Sequence, residues 1–194
     1  MQLIEKVKRI EQSIIERFED WDLDNPVEEG YFDAYKEVQG ATEDAFLSFE
    51  QRFGILLPED FKEFYRYKNG SKFFCILPTL IDEADYSFCT MSLQEIIKTK
   101  EHFQNRDALL TEFSEFFTSQ DIESMRDDRI KPYLFNRKWF PFAEYCNSCF
   151  LMLDFDPAEK GVPGQILCYI HDPDKVVYVA PSIDALLSQI LEEL

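Results

Sequence analysis

The residues best suited to chemistry in this chain are three cysteines and a histidine. Cys146 and Cys149 stand three apart, and after eighteen further residues Cys168 and His171 repeat that spacing. Thiolates and imidazoles are the ligands that zinc prefers, and the spacing is close to that of a four-ligand site. The first pair lacks the glycine of a zinc knuckle, however, and buried cysteines in apolar strands act as small hydrophobes. We keep the four as candidate zinc ligands but expect no metal and no other cofactor.

Two carboxylate patterns also suggest binding or catalysis. Asp20, Asp22 and Asp24 resemble the start of an EF-hand loop, but Asn25 and Tyr31 replace the glycine and glutamate that calcium needs. This pattern is typical of a solvated helix end.

The second pattern is the pair Asp154 and Asp156, which could act as the acid and base of a glycosidase. Two residues apart before Pro157, they are also typical of residues that organise a turn. His102 and His171 are the only near-neutral bases, and the chain has no nucleophile elbow or glycine-rich phosphate loop. We therefore expect no catalytic residues and no enzyme, with a zinc-dependent or carboxylate enzyme as the alternative.

Composition narrows the classes of partner. The 194 residues include 38 acidic and 20 basic side chains, for a formal net charge of −18. Direct binding to a nucleic acid backbone needs a basic surface, so we expect none. The acidity either maintains solubility or forms a face complementary to a basic protein.

Location also follows from sequence patterns. Charges interrupt the apolar residues of the N-terminus, so we expect no signal peptide, and no segment is apolar enough for a membrane span. Five cysteines without a secretory signal favour free thiols in a reducing cytoplasm. We expect a cytoplasmic protein that does not contact membranes.

The periodicity of apolar residues predicts helices first and strands later. Residues 1–22 form an amphipathic helix, an acidic and aromatic loop continues to Gly40, and Thr42 and Gly54 bound a second helix. Pro58 opens a third helix with a buried aromatic stripe, and Asn69 and Gly70 end it. Ser92 and Glu95 form a capping box for another helix, residues 107–127 read as helical, and Ser182 starts the last helix.

Strand-like runs follow and are separated by turn residues. The predicted strands are residues 72–77, 88–91, 139–143, 149–155, 164–170 and 175–180. This order predicts an α+β domain, with a mainly antiparallel sheet against which the N-terminal helices and a closing C-terminal helix pack. We expect one domain over residues 1–194, in which residues 1–40 are an N-terminal extension of helix and acidic loop.

Several of these blocks, in this order, resemble the SUKH superfamily, the Smi/Knr-like group of fungal cell-wall regulators and bacterial immunity proteins. The blocks are Phe49-Glu50, Leu57-Pro58-Glu59-Asp60-Phe61, Phe64-Tyr65, Asn69-Gly70, Trp139-Phe140-Pro141-Phe142-Ala143, Leu153-Asp154-Phe155-Asp156-Pro157, Gly161-Val162-Pro163-Gly164-Gln165-Ile166 and Ser182-Ile183 with Leu186-Leu187. The resemblance spans residues 41–194, with little in 98–135. Asn147 and Ser148 depart from it, since relatives carry glycines there.

The resemblance implies binding rather than catalysis. Bacterial members are commonly immunity proteins that neutralise a cognate toxin, often a nuclease, and a basic toxin would suit an acidic inhibitor. The alternative is a regulatory scaffold that recruits signalling proteins. The candidate partner-binding residues are Asp82, Glu83, Asp85, Tyr86, Asp154, Asp156 and Glu159. The identity of the partner and the oligomeric state stay open.

Overall fold

The chain is α+β, as the computed structural model of residues 1–21 and 26–194 shows. For residues 18–21 and 26–29 the description covers the backbone alone. Within the described residues, no helix combines the length and apolar character needed to cross a bilayer.

Four helices come first in the described chain, and strands interspersed with shorter helices follow, before a last helix. The helices are α1 (Leu3–Trp21), α2 (Pro26–Lys36), α3 (Glu43–Phe53), α4 (Glu59–Tyr67), α5 (Leu93–Lys100), α6 (Ser119–Ser124) and α7 (Ile183–Glu193). The strands are β1 (Leu77–Ile81), β2 (Ala84–Thr90), β3 (Ala108–Leu109), β4 (Tyr133–Phe135), β5 (Trp139–Tyr145), β6 (Cys149–Asp154), β7 (Gln165–Ile170) and β8 (Lys175–Ala180).

The chain divides into two compact units, and the first comprises Met1–Leu93 and Ser182–Leu194. Within it, α1 and α4 pack against the closing helix α7. The Lys6 ammonium donates to the Asp184 carboxylate at 2.6 Å and to the Ser188 hydroxyl at 2.8 Å. The Asp60 carboxylate accepts the Asp184 N–H at 3.1 Å, so the first turn of α7 is held by side chains of both other helices.

Helix α4 confirms the aromatic stripe that its sequence predicts. Phe61, Phe64 and Tyr65 are buried, and the Tyr65 hydroxyl donates to the carbonyl of Met91 at 2.7 Å. The helix ends at Tyr67 without a left-handed cap, because Lys68 follows it in an extended conformation. Asn69 serves another helix instead, since its side-chain oxygen accepts the Leu93 N–H at the start of α5, at 2.9 Å.

The second unit, Gln94–Pro181, contains an antiparallel meander of β5, β6, β7 and β8 and the short antiparallel pair of β3 and β4. Its buried core centres on Trp139, Met152 and Leu167. The predicted strand 175–180 is confirmed without change, and the other three strands of the meander are confirmed to within two residues. Runs rich in β-branched and aromatic residues, bounded by turn residues, mark these strands in the sequence.

Two predicted segments have a different structure. The predicted loop before Gly40 contains helix α2, in which Pro26 occupies the first position. Tyr35 of this helix is buried and packs on Phe74, with ring centroids 5.1 Å apart. The predicted strand 72–77 was wrong, because Lys72 has a positive φ and the Phe74 N–H closes a turn onto Ser71.

The continuous helix predicted over residues 107–127 was also wrong. Asp107 accepts the Arg137 N–H at 2.9 Å beside the β3–β4 pair, and Thr118 caps a separate short helix, α6. The apolar residues of this segment are still buried against the second unit, since Phe113 and Phe117 both pack on its core.

The expectation of free thiols needs correction. Cys75 and Cys89 form a disulfide that joins the segment before β1 to β2. Cys146, Cys149 and Cys168 are free, with only Cys146 exposed. The disulfide links the two chain segments at the base of the β1–β2 hairpin.

Two glycines with left-handed backbone give a matched test of this fold. Gly70 has φ of 88°, and an added Cβ would lie 2.6 Å from the Ser92 nitrogen. Gly54 has φ of 62° with open space around it. Gly54→Ala should therefore cost about 1 kcal/mol from backbone strain alone, whereas Gly70→Ala should cost about 2 to 4 kcal/mol because a clash adds to the strain.

Urea unfolding of the two variants measures the difference directly. Equal losses of unfolding free energy would contradict the close packing of Gly70 on the Met91–Ser92 backbone.

Candidate functional site

The candidate residues of the second unit surround a buried carboxylate. Asp154 ends β6 and is fully buried, although it was predicted to contact a partner. One oxygen accepts the Trp139 indole N–H at 3.0 Å and the Asp156 backbone N–H at 2.7 Å. The other carboxylate oxygen accepts a hydrogen bond from the side-chain amide of Gln165 at 2.8 Å. A side chain enclosed in this way is not available to a partner, so its assignment as a surface contact is corrected to a structural one.

Burial sets the ionisation of Asp154. Desolvation disfavours the charged form and raises its pKa from 3.8 to about 6, against the opposing effect of the three hydrogen bonds. The carboxylate is thus ionised at neutral pH and charged while buried. An ionised acceptor satisfies all three donors, which fixes the strands that carry them.

Lys100 is a second buried charged residue in this unit, and nothing in the sequence singled it out. Its ammonium, at the end of α5, donates to the carbonyls of Trp139 at 2.9 Å, Arg137 at 3.0 Å and Gln104. Burial lowers its pKa from 10.5 to about 7. Three backbone acceptors match the three protons of an ammonium, so Lys100 also fixes the start of β5.

The other two candidates of this unit are accessible to different degrees. Asp156 is half-buried and binds the Lys131 ammonium and, at 3.0 Å, the Asn136 amide. Glu159 is exposed, in the turn that leads to β7. Of the three acidic candidates here, Glu159 alone has a fully exposed side chain.

The candidates of the first unit lie together on the β1–β2 hairpin. Asp82 and Glu83 form its tip with φ of 49° and 64°, as a two-residue turn of type I′ requires. Leu80 pairs directly with Asp85, which places both on the outward face. Leu80 is 50% exposed, and the three carboxylates are all exposed. Tyr86 is half-buried and stacks on Phe88, with ring centroids 5.7 Å apart, on the opposite face.

The four candidate zinc ligands do not converge. Cys149 and Cys168 are buried in neighbouring strands, whereas Cys146 and His171 are exposed in turns. The His171 imidazole lies 2.6 Å from the Asp174 carboxylate. Across the described residues, no three histidine, cysteine or acidic side chains come together as metal ligands.

The turn at Asn147, where the sequence departs from the family resemblance, has a defined geometry. Cys146 and Asn147 both have positive φ, and the Ser148 N–H closes the turn onto the Tyr145 carbonyl at 3.1 Å. This turn therefore forms without a glycine, and asparagine is a residue type that tolerates the left-handed region. The EF-hand-like pattern at Asp20, Asp22 and Asp24 lies outside the residues whose side chains are described.

The raised pKa of Asp154 predicts how stability depends on pH. Because its folded pKa of about 6 exceeds the unfolded value of 3.8, the folded chain binds the proton more tightly. Protonated Asp154 therefore adds on the order of 3 kcal/mol to the free energy of unfolding below about pH 4. This contribution is lost as pH rises through about 6. The difference in unfolding free energy between the wild type and Asp154→Asn should shrink over this window.

Urea unfolding between pH 4 and 7 measures this difference. Glu159→Gln, which removes an exposed carboxylate from the same region, is the control for the loss of one acidic side chain. A wild-type advantage over Asp154→Asn that grows with pH would contradict the raised pKa.

Comparisons with known proteins give a family match that covers most of the chain. Curated protein sequences give no match. The family model of the SMI1/KNR4 family (SUKH-1) matches residues 40–189, which include both the acidic hairpin and the Asp154 frame. At the level of the family, this supports a toxin-immunity or regulatory module. The chain belongs to the SMI1/KNR4 family (SUKH-1).

Proposed function

We propose that this protein is a non-catalytic binding module that neutralises a basic protein, such as a nuclease toxin, and that the β1–β2 hairpin contacts this partner. The observation that carries the proposal is the outward face of the hairpin. Asp85 pairs directly with the exposed Leu80, and the exposed carboxylates of Asp82 and Glu83 follow at the tip of the hairpin.

The sequence around the hairpin strengthens its negative potential. No lysine or arginine occurs between Lys72 and Lys98, so every charged side chain of the hairpin is acidic. A local excess of one sign attracts an oppositely charged partner over distances of about a Debye length, near 8 Å at physiological salt.

The backbone of the hairpin suits recognition because it is held in place. The Cys75–Cys89 disulfide closes its base, and the Ser71 hydroxyl accepts the Thr90 N–H at 2.7 Å. A preorganised tip loses little conformational entropy on binding. An exposed apolar centre with a charged rim is the usual arrangement of a protein interface.

The test is co-expression with a basic toxin encoded beside the gene. We expect protection of the host cell and co-purification of the two proteins. The triple variant Asp82→Asn, Glu83→Gln, Asp85→Asn should slow association by about tenfold at low salt, because charge complementarity acts mainly on the association rate. Stopped-flow mixing or surface plasmon resonance measures that rate.

A matched control removes the same charge elsewhere on the first unit. The control variant carries Glu37→Gln, Glu192→Gln and Glu193→Gln, so it also neutralises three exposed carboxylates. The proposal predicts a smaller effect from this control. Equal slowing by both variants would contradict a site at the hairpin, and co-purification without inhibition of the toxin would favour the regulatory scaffold.

A further inference from the structure

The second unit contains a cleft that the proposed function does not yet use. Its volume is about 470 Å³, within the range of pockets that hold a ligand. Helix α6 forms one wall, and the segments before β4 and after β6 form the others. The apolar side chains that line it are Leu110, Ile122, Met125, Ile130, Pro132 and Val176.

Charged residues line the rim of this cleft, and nearly all of them are paired. The pairs are Asp127 with Arg129 at 2.5 Å, Asp128 with Lys160 at 2.6 Å, Glu123 with Arg126 at 3.6 Å, and Lys131 with Asp156. Glu159 also lines the cleft and is exposed. Among the described residues it has neither a hydrogen bond nor an ion pair, so one carboxylate at the rim is open to a ligand.

We infer that this cleft receives a long basic side chain, arginine or lysine, from the bound partner. The aliphatic stem of such a side chain covers apolar surface while its charged head stays at the edge. The apolar lining suits the stem, and the free carboxylate of Glu159 suits the head. A purely apolar side chain would leave that carboxylate unpaired, and an acidic one would meet it with like charge.

The inference rests on the proposed function for the source of the side chain, since a basic partner supplies it. Its chemistry can be tested without that partner. Amide chemical shifts of the isotope-labelled full chain report where a small probe binds. The probe is N-acetyl-arginine-N-methylamide, and the comparison is the norleucine analogue, which keeps an aliphatic stem but lacks the charge.

The arginine probe should shift the amide signals of α6 and of residues 158–160 in a saturable way. The norleucine probe should bind about three- to fivefold more weakly, the fold-change that an exposed ion pair supplies. Glu159→Gln should weaken binding of the arginine probe by the same factor and leave norleucine binding unchanged. Glu115→Gln, an exposed carboxylate of the same unit that does not line the cleft, should change neither.

Three results would overturn the inference: no saturable shifts at the cleft, equal binding of the two probes, or an arginine affinity that Glu159→Gln does not change. Failure of the proposed function gives a different result. A chain that binds the arginine probe at the cleft but neutralises no basic toxin would retain the site and lose the proposed partner.

Discussion

The buried carboxylate of Asp154 is the interaction on which the second unit depends. Its three donors come from β5, from the turn after β6 and from β7, so one side chain fixes the relative positions of three segments. Lys100 holds the start of β5 from the other side through the Trp139 carbonyl. Removing one partner of such a network leaves buried polar groups unpaired, at about 1 to 3 kcal/mol each. The residues of this network, Trp139, Asp154 and Gln165, belong to the blocks that resemble the family, and they maintain the fold.

Much of the fold could be predicted from the sequence because its signals are local. Thr42 accepts the Ala45 N–H, Gly54 is left-handed, and Ser182 accepts the Ala185 N–H, as their residue types predict for helix ends. The errors arose where distant contacts decide the structure. Residues 107–127 have helical spacing, but pairing of β3 with β4 and the cap at Thr118 divide the segment.

The candidate site was predictable in part. Side-chain type identified Asp82, Glu83 and Asp85, and the hairpin brings them together on an exposed tip. It could not separate Asp154 from Glu159, since both are acids near one turn and only the packed structure shows that the first is buried. Lys100 was missed for the same reason, because lysine is ordinarily an exposed residue.

In the proposed function, the frame around Asp154 maintains the second unit and the exposed acids of the β1–β2 hairpin contact the partner. Hydrogen–deuterium exchange of the full chain, free and bound to its toxin, tests this claim most directly. We expect new protection at the tip of the β1–β2 hairpin. Exchange at the backbone amides of Asp156 and Gln165, which are hydrogen-bonded in the free protein, should be slow in both states. Protection confined to other surfaces, with the hairpin exchanging as in the free chain, would contradict it.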